Sequence, residues 1–262
     1  MASATAAAAA AAPGCRAVAT ASAAVAASFG FPDGERIPVE LMLQAIGRIV
    51  TAVDLPVTAD LESGYGDVDR TIRAAIGAGV AGAILEDAMR PIDESVAAVE
   101  TAVRAGAAEG VPIVLNARTD VYLPDTGLDR VGRLDAAKSR GMTFLAGGAD
   151  RIFVPGCSHP DEIGELVNCF GPGRLSLLAM PGVPNPAELQ SLGVSRVSYA
   201  PTTAMGAGRA GRASATGSRV LALRARPGRR RWRRQEPQRR PACAVRSQAL
   251  SVPRPRADQA ID

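Results

Sequence analysis

Three short apolar segments that each end in polar residues constrain the fold of this chain more than any other feature. The segments start at Leu55, Ala81 and Val111, and each has the length and composition of a buried β-strand. Polar residues follow at or close to alternate positions, and alternate residues of a strand share one face. They are Asp60 and Glu62 after the first segment, Glu86 and Asp87 after the second, and Asn116, Arg118 and Asp120 after the third. Parallel α/β folds place their active sites at such strand ends.

The rest of the chain alternates between strand-like and helix-like segments, which favours βαβ units and a parallel sheet. Further strands are predicted at 15–20, 151–155, 174–179 and 194–200, which gives seven in all. Helices are predicted at 38–53, 68–78, 93–109, 129–147, 160–169 and 186–191. Residues 22–33, which are rich in small side chains, are predicted to form a loop over the site.

The residue types at the strand ends indicate a metal and an anionic substrate. Two carboxylates on one face, such as Asp60 and Glu62, repel each other unless a cation lies between them or one is protonated. Oxygen ligands alone favour a hard cation such as Mg²⁺. Arg118 among them favours an anion held by its planar guanidinium. Gly64 allows a sharp turn or a close approach to a ligand.

Each of these residues also has a purely structural interpretation. Asp60 and Glu62 could mark a solvated strand end that is followed by a turn. Glu86 could cap a helix or form a salt bridge, and Arg118 could belong to a structural ion pair at the strand ends. Asn116 is a weaker candidate for the same pocket.

Composition limits the class of protein. Apolar residues make up 47% of the chain and aromatic residues only 3%, so the core is expected to consist of Ala, Val, Leu and Ile. No segment of about 20 residues has enough apolar bulk to span a membrane. The four cysteines show no CxxC spacing, which is typical of a reduced, cytoplasmic protein.

Charge divides the chain into a body and a tail. Residues 202–262 contain 15 arginines and 3 acidic residues, whereas the first 201 residues hold 15 of the 30 basic and 23 of the 26 acidic residues. The prediction is an Ala-rich segment at 1–14, one domain at 15–201 and a disordered Arg/Pro/Ala-rich tail at 202–262. The tail could bind a polyanion, but the remainder shows no nucleic-acid motif, so nucleic acid is an unlikely partner.

Six segments, in order, resemble the isocitrate lyase and phosphoenolpyruvate mutase superfamily. They are TASAAVAASFGFPDGE, TADLESGYGD, AILEDA, VLNARTDVYL, GADRIFVPG and PGVPNPAELQSLGVSRVSYAP, and the resemblance covers residues 15–201. It implies a (β/α)₈ TIM-like barrel that uses Mg²⁺ and acts on a small anionic 2-oxo acid or phosphonate through an enolate. It also implies a homo-oligomer.

The resemblance also implies roles for individual residues. Asp60, Glu62, Glu86 and Asp33 match the metal site, directly or through water. Arg118, Glu86 and Asn116 are the candidate catalytic residues, and Ser22, Gly64 and Arg118 are the candidate substrate-binding residues.

The chain departs from the family pattern in three places. A first strand is expected before Cys15 and a helix after Pro201, and neither is visible. Without strand one, the neighbouring strands would have open edges. The loop at 87–92 has no Cys, Lys or His, unlike the Lys-Lys-Cys-Gly-His loop of isocitrate and methylisocitrate lyases. Lyase-like, mutase-like and hydrolase-like reactions therefore remain open, as does a catalytically inactive, truncated barrel.

Overall fold

Eight strands form a closed barrel in the computed structural model, which describes residues 17–199 and the backbone of 217–222. The strands are β1 (Ala17–Thr20), β2 (Val57–Asp60), β3 (Gly82–Glu86), β4 (Val114–Arg118), β5 (Arg151–Phe153), β6 (Leu175–Leu178), β7 (Arg196–Tyr199) and β8 (Gly217–Ala222). Strands β1 to β7 pair in parallel with their sequence neighbours. The prediction of a TIM-like α/β barrel with seven parallel strands is confirmed.

Helices occupy every crossover between these parallel strands. They are α1 (Ser22–Ser28), α2 (Val39–Thr51), α3 (Val68–Gly77), α4 (Ile92–Ala108), α5 (Arg130–Ala146), α6 (Pro160–Phe170) and α7 (Pro186–Leu192). Pro160 and Pro186 each stand in the first turn of a helix, where a missing N–H costs nothing. None of the helices in the described part of the chain is long and apolar enough to cross a membrane.

The helix α1 corrects the prediction of a loop across residues 22–33. Its sequence is Ser-Ala-Ala-Val-Ala-Ala-Ser, and alanine has the highest helix propensity of all residues. Val25 and Ala26 are buried, so packing adds to this local preference. Only the segment after Ser28 has the predicted irregular conformation.

The strand β8 closes the barrel where the sequence leads us to expect open edges. It pairs antiparallel with both β1 and β7, with Val18 opposite Arg219 and Ser198 opposite Val220. It also lies within the range assigned to the tail. The rest of the tail, residues 1–16 and the position of a helix after residue 201 fall outside the described residues, so the domain boundaries remain predictions.

The outward faces of the strands build the apolar core. Leu115, Ile152 and Leu175 are fully buried in one cluster with Phe144 of α5 and Phe170 of α6. The inward faces are more polar, and buried polar residues there include Thr58, Asp60, Asn116, Ser176 and Arg196. The layer between strands and helices therefore supplies most of the hydrophobic stabilisation, while the barrel interior combines polar groups with a few apolar side chains such as Ile84 and Phe153.

A glycine in α5 allows this helix to pack closely against α6. A Cβ atom at Gly141 would lie 2.5 Å from ring atoms of Phe170. We therefore expect Gly141→Ala to lower the free energy of unfolding by about 1–3 kcal/mol, because overpacking outweighs the gain in helix propensity. Urea denaturation would measure this change.

The matched control is Gly47→Ala in α2, where an added Cβ would have no atom within 4 Å. The same substitution should stabilise the protein there by about 0.5–1 kcal/mol. Equal effects at the two positions would show that Phe170 does not restrict Gly141.

Candidate active site

A cavity of about 220 Å³ lies at the carboxyl ends of the parallel strands. Its polar lining comes from Thr20, Ser22, Asp33, Asp60, Arg118 and Ser198, and its apolar lining includes Ile84, Phe153 and Leu178. Four of the predicted site residues, namely Ser22, Asp33, Asp60 and Arg118, therefore face one space. These four come from four separate segments of the chain, which the barrel topology brings together.

The carboxylate of Asp60 is held in place by the segment that joins β1 to α1. Its Oδ2 atom accepts hydrogen bonds from the backbone N–H and the Oγ of Ser22, both at 3.1 Å. The Asp60 backbone N–H donates to Oγ1 of Thr20 at 2.8 Å. The other oxygen, Oδ1, has only a long contact of 3.4 Å with the backbone N–H of Glu62. One carboxylate oxygen is thus oriented and the other retains capacity for a ligand.

The guanidinium of Arg118 lies between two carboxylates. Its Nη1 is 2.8 Å from Oε2 of Glu86, and its Nε donates to Oδ1 of Asp120 at 2.6 Å. Burial opposes the charge of Arg118, but Glu86 and Asp120 outweigh this effect and raise its pKa. The ion pair considered in the sequence analysis is therefore present, and the same arginine also lines the cavity.

Burial raises the pKa values of the two carboxyl groups beside Arg118, those of Glu86 and Asp120. It raises the pKa of Glu86 to about 8, with Asp120, Asp60 and Glu62 adding to the effect and Arg118 opposing it. The pKa of Asp120 is also raised, again mainly by burial. Burial therefore favours the protonated form of both acids and weakens their neutralisation of Arg118.

Glu62 lies in a neighbouring network and does not line the cavity. Its carboxylate accepts hydrogen bonds from the backbone N–H of Glu35 and from the hydroxyl of Tyr65. Glu35 in turn accepts from the backbone N–H groups of Ser63 and Tyr65, at 3.0 and 2.7 Å. This network ties the loop that carries Asp33 to the turn after β2. A contact of Glu62 with a metal through water remains a prediction.

Two other predicted residues lie away from the cavity lining. Gly64 has a φ of +102°, and an added Cβ would lie 2.5 Å from Cγ2 of Val68, so this glycine serves the turn into α3. Asn116 is fully buried inside the barrel, and its Nδ2 is 3.5 Å from Oγ of Ser176. Neither residue lines the cavity, and their roles in binding and catalysis remain predictions.

The donor set is compatible with Mg²⁺ in the way proteins commonly bind this ion. No cluster of three or more His, Cys, Asp or Glu side chains that could hold a metal occurs within the described residues. Mg²⁺ usually keeps several waters and uses only one or two carboxylates together with substrate oxygens. Asp60 and Asp33, which share the cavity, suit that mode.

The sequence did not predict a hydrogen-bond network around Asp87, which lies next to the site. The buried Asp87 accepts hydrogen bonds from Nη1 of Arg140, from the backbone N–H of Asp120 and from that of Met89, all at 3.0–3.1 Å. These bonds fix the loop after β3 and the segment that carries Asp120. Arg140 is in α5, and no local pattern in the sequence marks it as a partner of Asp87.

Fold and site together define a β/α-barrel protein. Its cavity lies at the carboxyl ends of the strands and is lined by both acidic and basic side chains. The chain belongs to the phosphoenolpyruvate phosphomutase family, whose model matches residues 1–218. This match confirms the superfamily resemblance derived from the six segments. Enzymes of this superfamily are lyases and mutases.

Several known proteins are similar to this chain. A proposed phosphonomutase from Burkholderia cenocepacia is 41% identical, with a TM-score of 0.65 over 70% of this chain and 77% of that one. An uncharacterised Mycobacterium tuberculosis protein is 31% identical over 66% of this chain and 65% of its own length. An oxaloacetate decarboxylase of Rhodopseudomonas palustris is 30% identical over 52% of this chain and 50% of its own length. The chain thus spans between half and two thirds of these two curated relatives.

The raised pKa of Glu86 predicts how stability depends on pH. A carboxyl group whose pKa rises on folding contributes stability that is present below its unfolded pKa, near 4.5, and lost as the pH rises through about 8. In EDTA, the free energy of unfolding of Glu86→Gln should therefore fall less than that of the wild type between about pH 5 and pH 8, by roughly 1–3 kcal/mol.

Urea denaturation at several pH values would measure this, with Glu94→Gln as the control. Glu94 is exposed in the first turn of α4, so its substitution should leave the wild-type pH profile unchanged. Parallel profiles for Glu86→Gln and the wild type would show that Glu86 titrates normally.

Proposed function

We propose that this protein is a Mg²⁺-dependent enzyme that breaks a bond next to the 2-oxo group of a small anionic acid, with an enolate as the intermediate. The observation that carries the proposal is the shared cavity, in which the oriented Asp60 carboxylate and the Arg118 guanidinium both face the ligand space. The family membership supports the same class of reaction.

Asp60 and Asp33 are the residues that would hold the metal. Bound there, Mg²⁺ would polarise the carbonyl and carboxylate oxygens of a 2-oxo acid and stabilise developing negative charge. Ser22 keeps Asp60 in the required orientation through its two hydrogen bonds. Because these bonds exist before a ligand arrives, no reorganisation of Asp60 is needed when it binds.

Arg118 would bind an anionic group of the substrate. Its position between Glu86 and Asp120 restricts its rotamers, and a fixed guanidinium loses less entropy when it pairs with a carboxylate or phosphonate. Because burial favours the protonated form of Glu86, the two acids neutralise Arg118 less than two solvated carboxylates would, and its charge can act on the substrate.

Both C–C and C–P cleavage are compatible with this site. The related proteins include an oxaloacetate decarboxylase and a proposed phosphonomutase. The loop at 87–92 is clamped through Asp87 and carries no Cys, Lys or His that could protonate an enolate. We therefore propose the substrate class, a small 2-oxo acid with a second anionic group, and leave the bond to be determined by assay. A cytoplasmic location, proposed from the cysteine usage, is consistent with such a substrate.

The direct test is to incubate the full chain and Mg²⁺ with oxaloacetate and, separately, with phosphonopyruvate. Release of pyruvate and CO₂, or of oxalate and acetate, from oxaloacetate would show C–C cleavage, and phosphoenolpyruvate formed from phosphonopyruvate would show phosphoryl migration. Arg118→Met should lower kcat/KM by roughly 100-fold or more, since it removes a charge-assisted contact to the substrate. Turnover of neither substrate by the wild type would favour the inactive barrel.

Metal binding is testable without turnover. Asp60→Asn preserves shape but removes the charge that would hold Mg²⁺. The wild type should show a higher melting temperature with Mg²⁺ and oxalate, because a ligand that binds only the folded state stabilises it by mass action. The Asp60→Asn variant should show little of this increase.

The matched control is Asp93→Asn, which changes an exposed carboxylate in the first turn of α4. Its increase with Mg²⁺ and oxalate should equal that of the wild type. If Asp60→Asn kept the full increase as well, Asp60 would not be a metal ligand.

A further inference from the structure

Two arginines lie inside the barrel below the cavity without an acidic partner among residues 17–199. Arg196 of β7 is only 5% exposed, and its Nε and Nη2 atoms are buried without a hydrogen-bond partner. The Nε atom of Arg151, on β5, is in the same situation. Buried donors in native proteins are almost always satisfied, so these nitrogens are available to an acceptor that reaches the barrel interior.

Strand pairing, the contact between Asn116 and Ser176 and the effect of Arg151 on Arg196 together indicate that both arginines lie close to each other in the barrel interior. Arg151 pairs with Asn116 of β4, and Arg196 pairs with Ser176 of β6. Asn116 and Ser176 are themselves 3.5 Å apart, from Nδ2 to Oγ. We call these four residues the arginine layer.

The arginine layer lies directly beneath the cavity. Side chains two residues apart share a face, so Arg118 lies one step above Asn116, and Ser198 lies one step above Arg196. Arg118 and Ser198 both line the cavity. The Oγ atom of Ser198 is also buried without a hydrogen-bond partner, which makes it the link between the cavity and the layer.

Within residues 17–199, no acidic side chain is in hydrogen-bond contact with the unpartnered nitrogens of Arg196 and Arg151. Burial and, to a lesser extent, the nearby Arg151 lower the pKa of Arg196 to about 10, and Asp60 opposes the change. At neutral pH, Arg196 is still charged. A buried charge is strongly destabilising without a partner, so a negative group in this layer would remove an energetic penalty.

We infer that the arginine layer binds one anionic group of the carboxylate, phosphate or phosphonate class, which enters from the cavity past Ser198. The group comes either from the distal end of the ligand in the cavity or from a free inorganic anion. The first source rests on the proposed function, and the second does not.

In the first case, the layer selects between substrates. One anionic end of the ligand would lie at Arg118 and the metal site, and the other would point down the barrel towards Ser198 and Arg196. The cavity volume of about 220 Å³ suits a ligand of only a few carbon atoms. Ligands with two anionic groups would then bind more tightly than ligands of the same shape with one.

The variant for testing is Arg196→Met, which removes the charge and keeps most of the side-chain volume. It should fold, because replacing an unpaired buried charge with an apolar group of similar size is neutral or stabilising. Ser198→Ala is a second variant that leaves both arginines in place. Arg104→Met is the control, since Arg104 is exposed on α4.

One arm of the experiment uses inorganic phosphate. Melting temperatures are measured in phosphate and in a buffer of equal ionic strength without it. General salt effects appear in every variant, whereas binding to the layer appears in the wild type and in Arg104→Met but is lost in Arg196→Met.

The other arm uses calorimetric titration, in the presence of Mg²⁺, with malate and with 2-hydroxybutanoate, which has a methyl group in place of the distal carboxylate. The wild type and Arg104→Met should prefer malate by roughly tenfold or more, as expected for a charge-assisted hydrogen bond. Arg196→Met should lose this preference, and Ser198→Ala should weaken it.

The outcomes separate this inference from the proposed function. A phosphate effect that depends on Arg196, with no binding of either hydroxy acid, would support the layer as an inorganic anion site and overturn its role in selecting substrates, while the turnover assays with oxaloacetate and phosphonopyruvate test the proposed function separately. Equal binding of both hydroxy acids, together with equal phosphate effects in wild type and Arg196→Met, would overturn the inference and leave the proposed function standing. Binding of no anion by the wild type in either arm would overturn the inference.

Discussion

The candidate site depends on the balance between the charge of Arg118 and the burial of the acids beside it. In water, Glu86 and Asp120 would both be ionised at neutral pH, and together they would more than neutralise the arginine. At the barrel mouth, burial favours the protonated form of Glu86 instead. One guanidinium thus remains both fixed in position and partly available, which a fully paired or a fully solvated arginine would not be. The orientation of Asp60 by Ser22 completes the same cavity from the opposite side.

Most of the fold could be predicted because its signals are local. Short apolar segments, helical periodicity and polar strand ends gave the seven parallel strands and six of the seven helices described. The helix α1 was missed because small residues are typical of loops as well as of alanine-rich helices, and only the burial of Val25 and Ala26 distinguishes the two. The strand β8 could not be predicted either, because it is held by pairing with strands that are distant in sequence.

The site was predicted in part, for the same physical reason. Asp60 and Arg118 end their strands, and alternation alone places them at the mouth of a parallel barrel. However, the alternation of side chains along a strand does not predict which hydrogen-bond or ion-pair partners a side chain has at the mouth of the barrel. Glu62 shares the face of Asp60 in an extended strand, but the chain turns at this residue, with a φ of +49°, and its carboxylate meets Glu35 and Tyr65 instead. Glu35 and Arg140 could not be found at all, because their roles arise only from tertiary contacts.

The closure of the barrel by β8 has a consequence for synthesis of the chain on the ribosome. Strand β1 leaves the ribosome early and can pair with β2, but its other edge must wait for Gly217–Ala222. Strand β7 waits for the same six residues. Throughout this interval the nascent barrel exposes two unpaired edges, each of which is a template for wrong pairing with another chain. Pairing of β8, the last strand among the described residues, therefore removes the two edges that make the nascent barrel prone to aggregation.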